Sequence, residues 1–268
     1  MSFSQYLTSL KYQLLFYIRS RRFIGLLGIA IAISLIFTVL DIHFDYSLLK
    51  SGTDSSFLYG YLSSFIIFLT SIVAAFFGGD LISIDTGTQS AYYSMVQPVP
   101  RSIIVLGRYT AAVISTFIIL LSYVLIGLGG SYYLYGSIPS KSYLVILILL
   151  LFSAAFVAFA TFFSALFKTP LTGMIITILL VIIVFPIIQD VVSDFVGYAP
   201  YMFITFGGEI VYLVLLSKYS TKSVSTIHGI KMYSFLPSFY EGIIILALYL
   251  VIFTALAIIL YKYKEVKG

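Results

Sequence analysis

The chain has 268 residues, of which 61% are hydrophobic and 9% charged; its formal net charge is +5 and its mean hydropathy +1.10. Soluble domains carry about 45–50% apolar and 25% charged residues, so this composition excludes one and predicts a polytopic membrane protein. Cysteine and asparagine are both absent, which excludes disulfides, thiolate metal sites and N-linked glycosylation, and matches the avoidance of thermolabile residues in hot-living prokaryotes.

Residues 2–20 place Phe3, Leu7, Leu10, Leu14 and Tyr17 or Ile18 at alternating steps of four and three, with Gln5, Ser9 and Gln13 opposite. That pattern predicts an amphipathic helix lying in the inner membrane interface. Arg19, Arg21 and Arg22 follow at headgroup level. Crossing the roughly 30 Å hydrocarbon core takes about 20 helical residues, and continuous apolar runs predict six spans, at about 23–40, 57–79, 103–128, 142–167, 170–189 and 242–260. Spanning strands would instead need short alternating segments. The A-x-A pattern at Ala30 and Ala32 is followed by apolar residues as far as Leu40, so the first span reads as uncleaved.

His43 falls in an acidic loop without a second ligand at metal spacing. On the second span Ser64, Ser71, Ala75 and Gly78 or Gly79 share a face; small residues there serve close packing, with a translocation path as the competing reading. Gly129, Gly130 and the tyrosines at 132, 133 and 135 predict a turn in the outer aromatic belt. Ala154, Ala158, Thr161 and Ala165 form a second packing face, and Pro170 suits the first turn of the fifth helix. The outer loop, 190–241, contains an apolar stretch at 201–216 broken by Gly207 and Gly208, which predicts a partly inserted hairpin covered by protein or water. Glu209 lies within it and is a candidate outer gate or substrate contact, against the plainer role of a satisfied carboxylate. Ser238 and Glu241 have capping-box spacing at the start of the last span.

Positive charge sets the orientation. With the N-terminus cytoplasmic, Lys11, Arg19, Arg21, Arg22, Arg101, Arg108, Lys168, Lys262, Lys264 and Lys267 lie inside, against Lys50, Lys141, Lys218, Lys222 and Lys231 outside. This ratio predicts a multi-pass cell-membrane protein with both termini cytoplasmic. The net charge is a topology signal and implies no nucleic-acid partner.

The substantial inner loop is 80–102, and it is polar and turn-rich. Tyr92, Met95 and Val96 form an apolar cluster there at steps of three and four, suited to docking in a partner's groove or to lying against the interface. The chain has no G-x-x-x-x-G-K-[ST] phosphate loop and no H-E-x-x-H. Phe77-Gly78-Gly79-Asp80 has only a superficial likeness to the G-x-G-D of intramembrane aspartyl proteases, and no second membrane Asp accompanies it. An intramembrane enzyme is therefore not expected, and energy for any work must come from a partner or a gradient.

In this segment Asp80, Ile82, Ser83, Asp85, Gly87, Thr88, Pro98, Val99 and Arg101, followed by Gly107 and Arg108, resemble the permeases of the type-2 ABC transporter family. Gly87 and Thr88 stand about two residues earlier than in the family pattern. RSRRF at 19–23, SALFKTP at 164–170 and YKYKE at 261–265 are similar to the family as well. The resemblance implies a permease subunit, an exporter, paired with a second permease and with separate ABC ATPase subunits that hold ATP and Mg; the chain itself binds no cofactor. It also implies that the 80–102 loop is the coupling element, with Asp80, Ser83, Asp85, Gly87, Thr88, Tyr92, Met95, Val96, Pro98, Arg101 and Arg108 as its residues. The alternatives are a gradient-driven secondary carrier, which lacks paired buried acids in the spans, and a non-transporting scaffold subunit.

Overall fold

A 16-residue helix, α1 (Phe3–Ile18), opens the chain and is followed by the first long apolar helix, α2 (Arg21–Phe44). The computed structural model describes residues 3–44, 52–84, 100–227 and 230–263. Ser20 forms the joint between the two helices. Its hydroxyl donates to the Tyr17 carbonyl at 2.6 Å and accepts the Phe23 N–H at 3.1 Å, which satisfies one donor left open at the start of α2.

α1 is turned differently from the helix its apolar periodicity predicts. Tyr17 is buried and Leu10 and Leu14 pack on the core, but Gln5, Ser9 and Gln13 are half-buried too. Phe3, Leu7 and Ile18 stay exposed. The protein-facing side is thus mixed: Ser9 sits against Gly107, where only a small side chain fits, Leu10, Leu14 and Tyr17 pack beside it, and the exposed apolar residues are left for the membrane interface.

The remaining long helices are α3 (Asp54–Gly78), α4 (Arg101–Tyr135), α5 (Ser142–Leu166), a composite fifth span and a final helix of 25 residues. Together with α2 these make six helices long and apolar enough to cross a membrane. Thr53 and Ser56 close a capping box at the start of α3. α4 runs unbroken through Gly129 and Gly130, and the turn expected there falls at Gly136, which has φ 67°. Helix continues because Gly130 packs under Thr38 and Phe57, so the missing side chain is used for helix contact rather than for a turn.

The fifth span comprises α6 (Pro170–Leu179), a π turn at Leu180–Val184, α7 (Phe185–Val191) and a second π turn at Val192–Val196. Pro170 occupies the first turn, where its missing N–H costs nothing. Pro186 sits just after the first π turn; proline removes a helix donor and crowds the preceding turn, and a wider turn accommodates both.

Two short helices follow, α8 (Ile204–Gly208) and α9 (Ile210–Leu213), both buried. These are the partly inserted hairpin of the sequence, broken beside Gly207 and Gly208. A Cβ at Gly208 would run into the Phe152 ring of α5, so only glycine lets the segment sit this close. The chain then forms a two-stranded antiparallel sheet, β1 (Lys222–Ile227) with β2 (Ile230–Phe235), in a register that pairs Lys222 with Phe235. Nothing in the sequence reading anticipated it. α10 (Phe239–Tyr263) completes the bundle, and the capping box at its start is present: Glu241 accepts the Ser238 N–H at 2.8 Å.

α5 is the most enclosed span, packed on α3, α4, α6 and α10, whereas α2, the fifth span and α10 leave much of their apolar surface open. The face carrying Ala158, Thr161 and Ala165 is buried, as packing requires. α3 and α4 are tied by two tyrosines. Tyr61 donates to the Tyr123 carbonyl at 3.1 Å, Tyr123 donates to the Tyr61 carbonyl at 2.9 Å, and their rings stack with centroids 4.6 Å apart. Each phenol thus finds a partner in an apolar setting where an unmade hydrogen bond is costly.

Candidate functional site

The polar groups that the sequence singles out converge at the α1 end of the bundle, where α3 stops. The helix ends because Gly78 and Gly79 are followed by Asp80, and a short turn carries the chain to Ile84. Three contacts fix that turn.

The first is electrostatic. Asp80 is only 5% exposed and stands just past the end of an apolar span. Arg22, from the first turn of α2, places Nη1 2.5 Å from Asp80 Oδ2. Burial pushes the Asp80 carboxyl above its ordinary range, while the Arg22 guanidinium pulls it back. Arg108 lies close enough to add a smaller pull, and its Nη1 donates to the Leu81 carbonyl at 3.4 Å.

The second contact is a hydroxyl cap. Ser164 of α5 accepts the N–H of Ile82 at 2.8 Å and that of Ser83 at 3.0 Å, and it lies 3.2 Å from the Ser83 hydroxyl. All of this is buried, so two backbone donors that have left the helix find their acceptor on another span. The third is a close backbone approach. A Cβ on Gly173 of α6 would stand 2.8 Å from the Gly79 carbonyl oxygen, so α6 rests directly on the end of α3.

α1 braces the far side of this corner. Tyr17 donates to the Phe77 carbonyl at 3.3 Å and meets its ring edge-on at 5.1 Å. Further along, Tyr6 donates to Thr110 at 2.9 Å, and Ser9 packs where a Cβ on Gly107 would be 2.6 Å from its Oγ. The helix therefore grips both flanks of the 85–99 segment: α3, which leads into it, and α4, which leads out.

Of the expected coupling residues, Asp80, Ser83 and Arg108 are brought together here. Arg101 begins α4. Asp85, Gly87, Thr88, Tyr92, Met95, Val96 and Pro98 lie outside the described residues. Glu209 is separate, at the junction of α8 and α9 and against Gln189 of α7. Its Oε1 accepts from Gln189 at 3.2 Å, Thr205 donates to the same Gln189 at 2.8 Å, and Oε2 is buried with no hydrogen-bond partner. Burial raises its carboxyl to about 7.

Three contributors to the corner were not recognised as such from the sequence: Arg22 as the partner of Asp80, Ser164 as the cap and Gly173 as the seat for Gly79. The one available signal was the acid itself, since a carboxylate at the end of an apolar span requires a base nearby. Among the described residues no group of three or more His, Cys, Asp or Glu stands where it could hold a metal ion.

Six apolar spans, an amphipathic flanking helix and a polar corner at the span ends define a multi-pass integral membrane protein. The model of the ABC-2 family transporter proteins matches residues 8–266, and the chain belongs to that family as a membrane-spanning permease. Among curated protein sequences none matches it.

Proposed function

We propose that this permease is the membrane subunit of an ABC exporter, working as a pair of permeases with two separate ATPase subunits, and that residues 80–102 are the element through which ATP hydrolysis is felt. The observation that carries this is the way the family match coincides with the corner. Asp80, Ser83 and Arg108 belong to the motif that resembles the family, and they also fix the end of the turn to Arg22, Ser164 and Leu81. A loop anchored so firmly at its start transmits a displacement to the spans instead of absorbing it. ATP and Mg belong to the partner ATPase in this reading. The permease supplies the docking face, Tyr92, Met95 and Val96 with Asp85, Gly87, Thr88, Pro98 and Arg101 around it. Glu209 is proposed as an outer gate.

Both termini are cytoplasmic in this arrangement, as the distribution of Lys and Arg requires. Reporters fused after Leu216 and at the C-terminus would then report the outside and the inside respectively; the reverse result overturns the orientation. For coupling, Tyr92→Ala with Met95→Ala removes anchoring contacts, which typically cost about 2 kcal/mol or more at an interface. The double variant should lose co-purification of the ATPase while its thermal unfolding is unchanged. Normal recruitment and normal ATP-dependent transport by that variant would refute the assignment of the loop.

A further inference from the structure

Between α1, the start of α2 and the end of α3 lies a cavity of about 280 Å³ lined by both cations and aromatic rings. Arg21 and Arg22 line it together with the rings of Phe16, Tyr17, Phe76 and Phe77. Asp80 also lines it, but that carboxylate is tied to Arg22 and is 5% exposed. Arg22 neutralises the acid with one edge while its side chain remains 56% exposed, and Arg21 is exposed beside it. Arg19 adds a third cation two residues before Arg21. The lining is thus net positive and otherwise largely aromatic.

We propose that this cavity binds the phosphate headgroup of an anionic phospholipid, with the upper part of an acyl chain against Phe16 and Phe76. Charge complementarity selects the anion: a guanidinium presents parallel donors that match phosphate oxygens. The aromatic wall selects an anion that brings its own hydrocarbon, because a free phosphate would leave that surface unused. Position selects a membrane lipid. The cavity is lined by α1, whose Phe3, Leu7 and Ile18 are exposed, and by the first turn of α2, whose apolar surface is largely open, and the start of an apolar span beside an amphipathic helix is where headgroups are expected. The site does not depend on whether the 80–102 loop couples to an ATPase, since its cations and aromatic rings come from α1, α2 and α3 and only Asp80 and Ile84 belong to that loop.

The chain contains no tryptophan, so Phe16→Trp places a single indole on the cavity wall. The full chain carrying that change is reconstituted in phosphatidylcholine vesicles with a minor fraction of brominated phosphatidylglycerol, or of brominated phosphatidylcholine as the neutral counterpart. Quenching by the anionic lipid should exceed that by the neutral one several-fold. Adding Arg21→Gln should reduce the preference about fivefold, the effect of about 1 kcal/mol per basic residue near an anionic surface. Inorganic phosphate added to the buffer should leave the quenching in place. Equal quenching by the two lipids overturns the proposal, and reversal by inorganic phosphate shows a free-anion site and overturns it as well. If Phe16→Trp fails to fold, native mass spectrometry of the unsubstituted chain decides: phosphatidylglycerol should be retained through detergent removal and lost in Arg21→Gln, and equal retention by both refutes the site.

Discussion

Replacing Ser164 with alanine removes a single buried oxygen, and the structure sets what that should cost. The Ser164 hydroxyl accepts the N–H of Ile82 at 2.8 Å and that of Ser83 at 3.0 Å, and no exposed surface surrounds it. Leaving a buried donor without an acceptor costs about 1–3 kcal/mol. Two such donors, in a turn able to relax somewhat, give a loss of about 3 kcal/mol. Ser153 on the same helix is the proper control: it is equally buried, but its hydroxyl donates only to the Leu150 carbonyl of its own helix. Ser153→Ala should therefore cost about 1 kcal/mol or less. Denaturant unfolding in detergent micelles measures both variants. Hydrogen exchange gives a local reading, because the Ile82 and Ser83 amides should lose roughly a hundredfold of protection in Ser164→Ala, about 1.4 kcal/mol corresponding to each factor of ten. If Ser164→Ala matches Ser153→Ala within about 0.5 kcal/mol and the two amides exchange as before, Ser164 does not hold the turn, and the description of the corner is wrong.

The Arg22–Asp80 pair should respond asymmetrically. Arg22→Ala strands a carboxylate that is 5% exposed, whereas Asp80→Asn leaves an amide beside an arginine that already reaches solvent. The first should cost about 2 kcal/mol and the second under about 1 kcal/mol, less than for a fully buried pair; equal losses in thermal unfolding would contradict this. Glu209 gives a pH dependence. Its folded carboxyl titrates near 7 against an ordinary 4.5, so folding favours the protonated form, and that contribution is complete below about pH 4.5 and lost as pH rises through 7. The full difference is about 3 kcal/mol. Between pH 5 and pH 8 the wild type should lose thermal stability that Glu209→Gln retains, and parallel losses in the two would exclude Glu209 as the titrating group.

The spans were legible because a membrane requires a long unbroken apolar run and tolerates little else. The capping box at Ser238 and Glu241, the proline at the start of α6 and the small-residue face of α5 were legible for a similar reason, since each is a local rule written in adjacent turns. The corner was not local. Asp80 meets Arg22 across 58 positions and Ser83 meets Ser164 across 81, and no periodicity connects them. The orientation of α1 escaped for another reason: with lipid on one side and protein on the other, a helix can turn Gln5, Ser9 and Gln13 inward beside Leu10, Leu14 and Tyr17 and still satisfy an amphipathic pattern. The glycines at 129 and 130 looked like a turn because glycine is ambiguous between bending and packing. The β1–β2 sheet is short, and its signal is weak: Ser223 and Ser225 alternate with Lys222, Val224 and Thr226 in β1, while β2 reads Ile-Lys-Met-Tyr-Ser-Phe, so its β-branched and aromatic residues are diluted by Ser and Lys within a long segment before the last span.

The paired tyrosines of α3 and α4 have a mechanical consequence. Tyr61 lies 17 residues before Gly78, about 25 Å along a helix at 1.5 Å per residue. At that distance from the corner, two phenol–carbonyl bonds and a ring stack lock the two helices in both axial position and rotation. α1 holds them together at the other end through Tyr17 on Phe77 and Tyr6 on Thr110. Clasped at both ends, the pair resists shear, which would break these contacts, more than it resists tilting as a unit. A few ångströms of movement imposed at the 85–99 segment would therefore swing the far ends of α3 and α4 as one lever, with the fulcrum set wherever the other spans yield least.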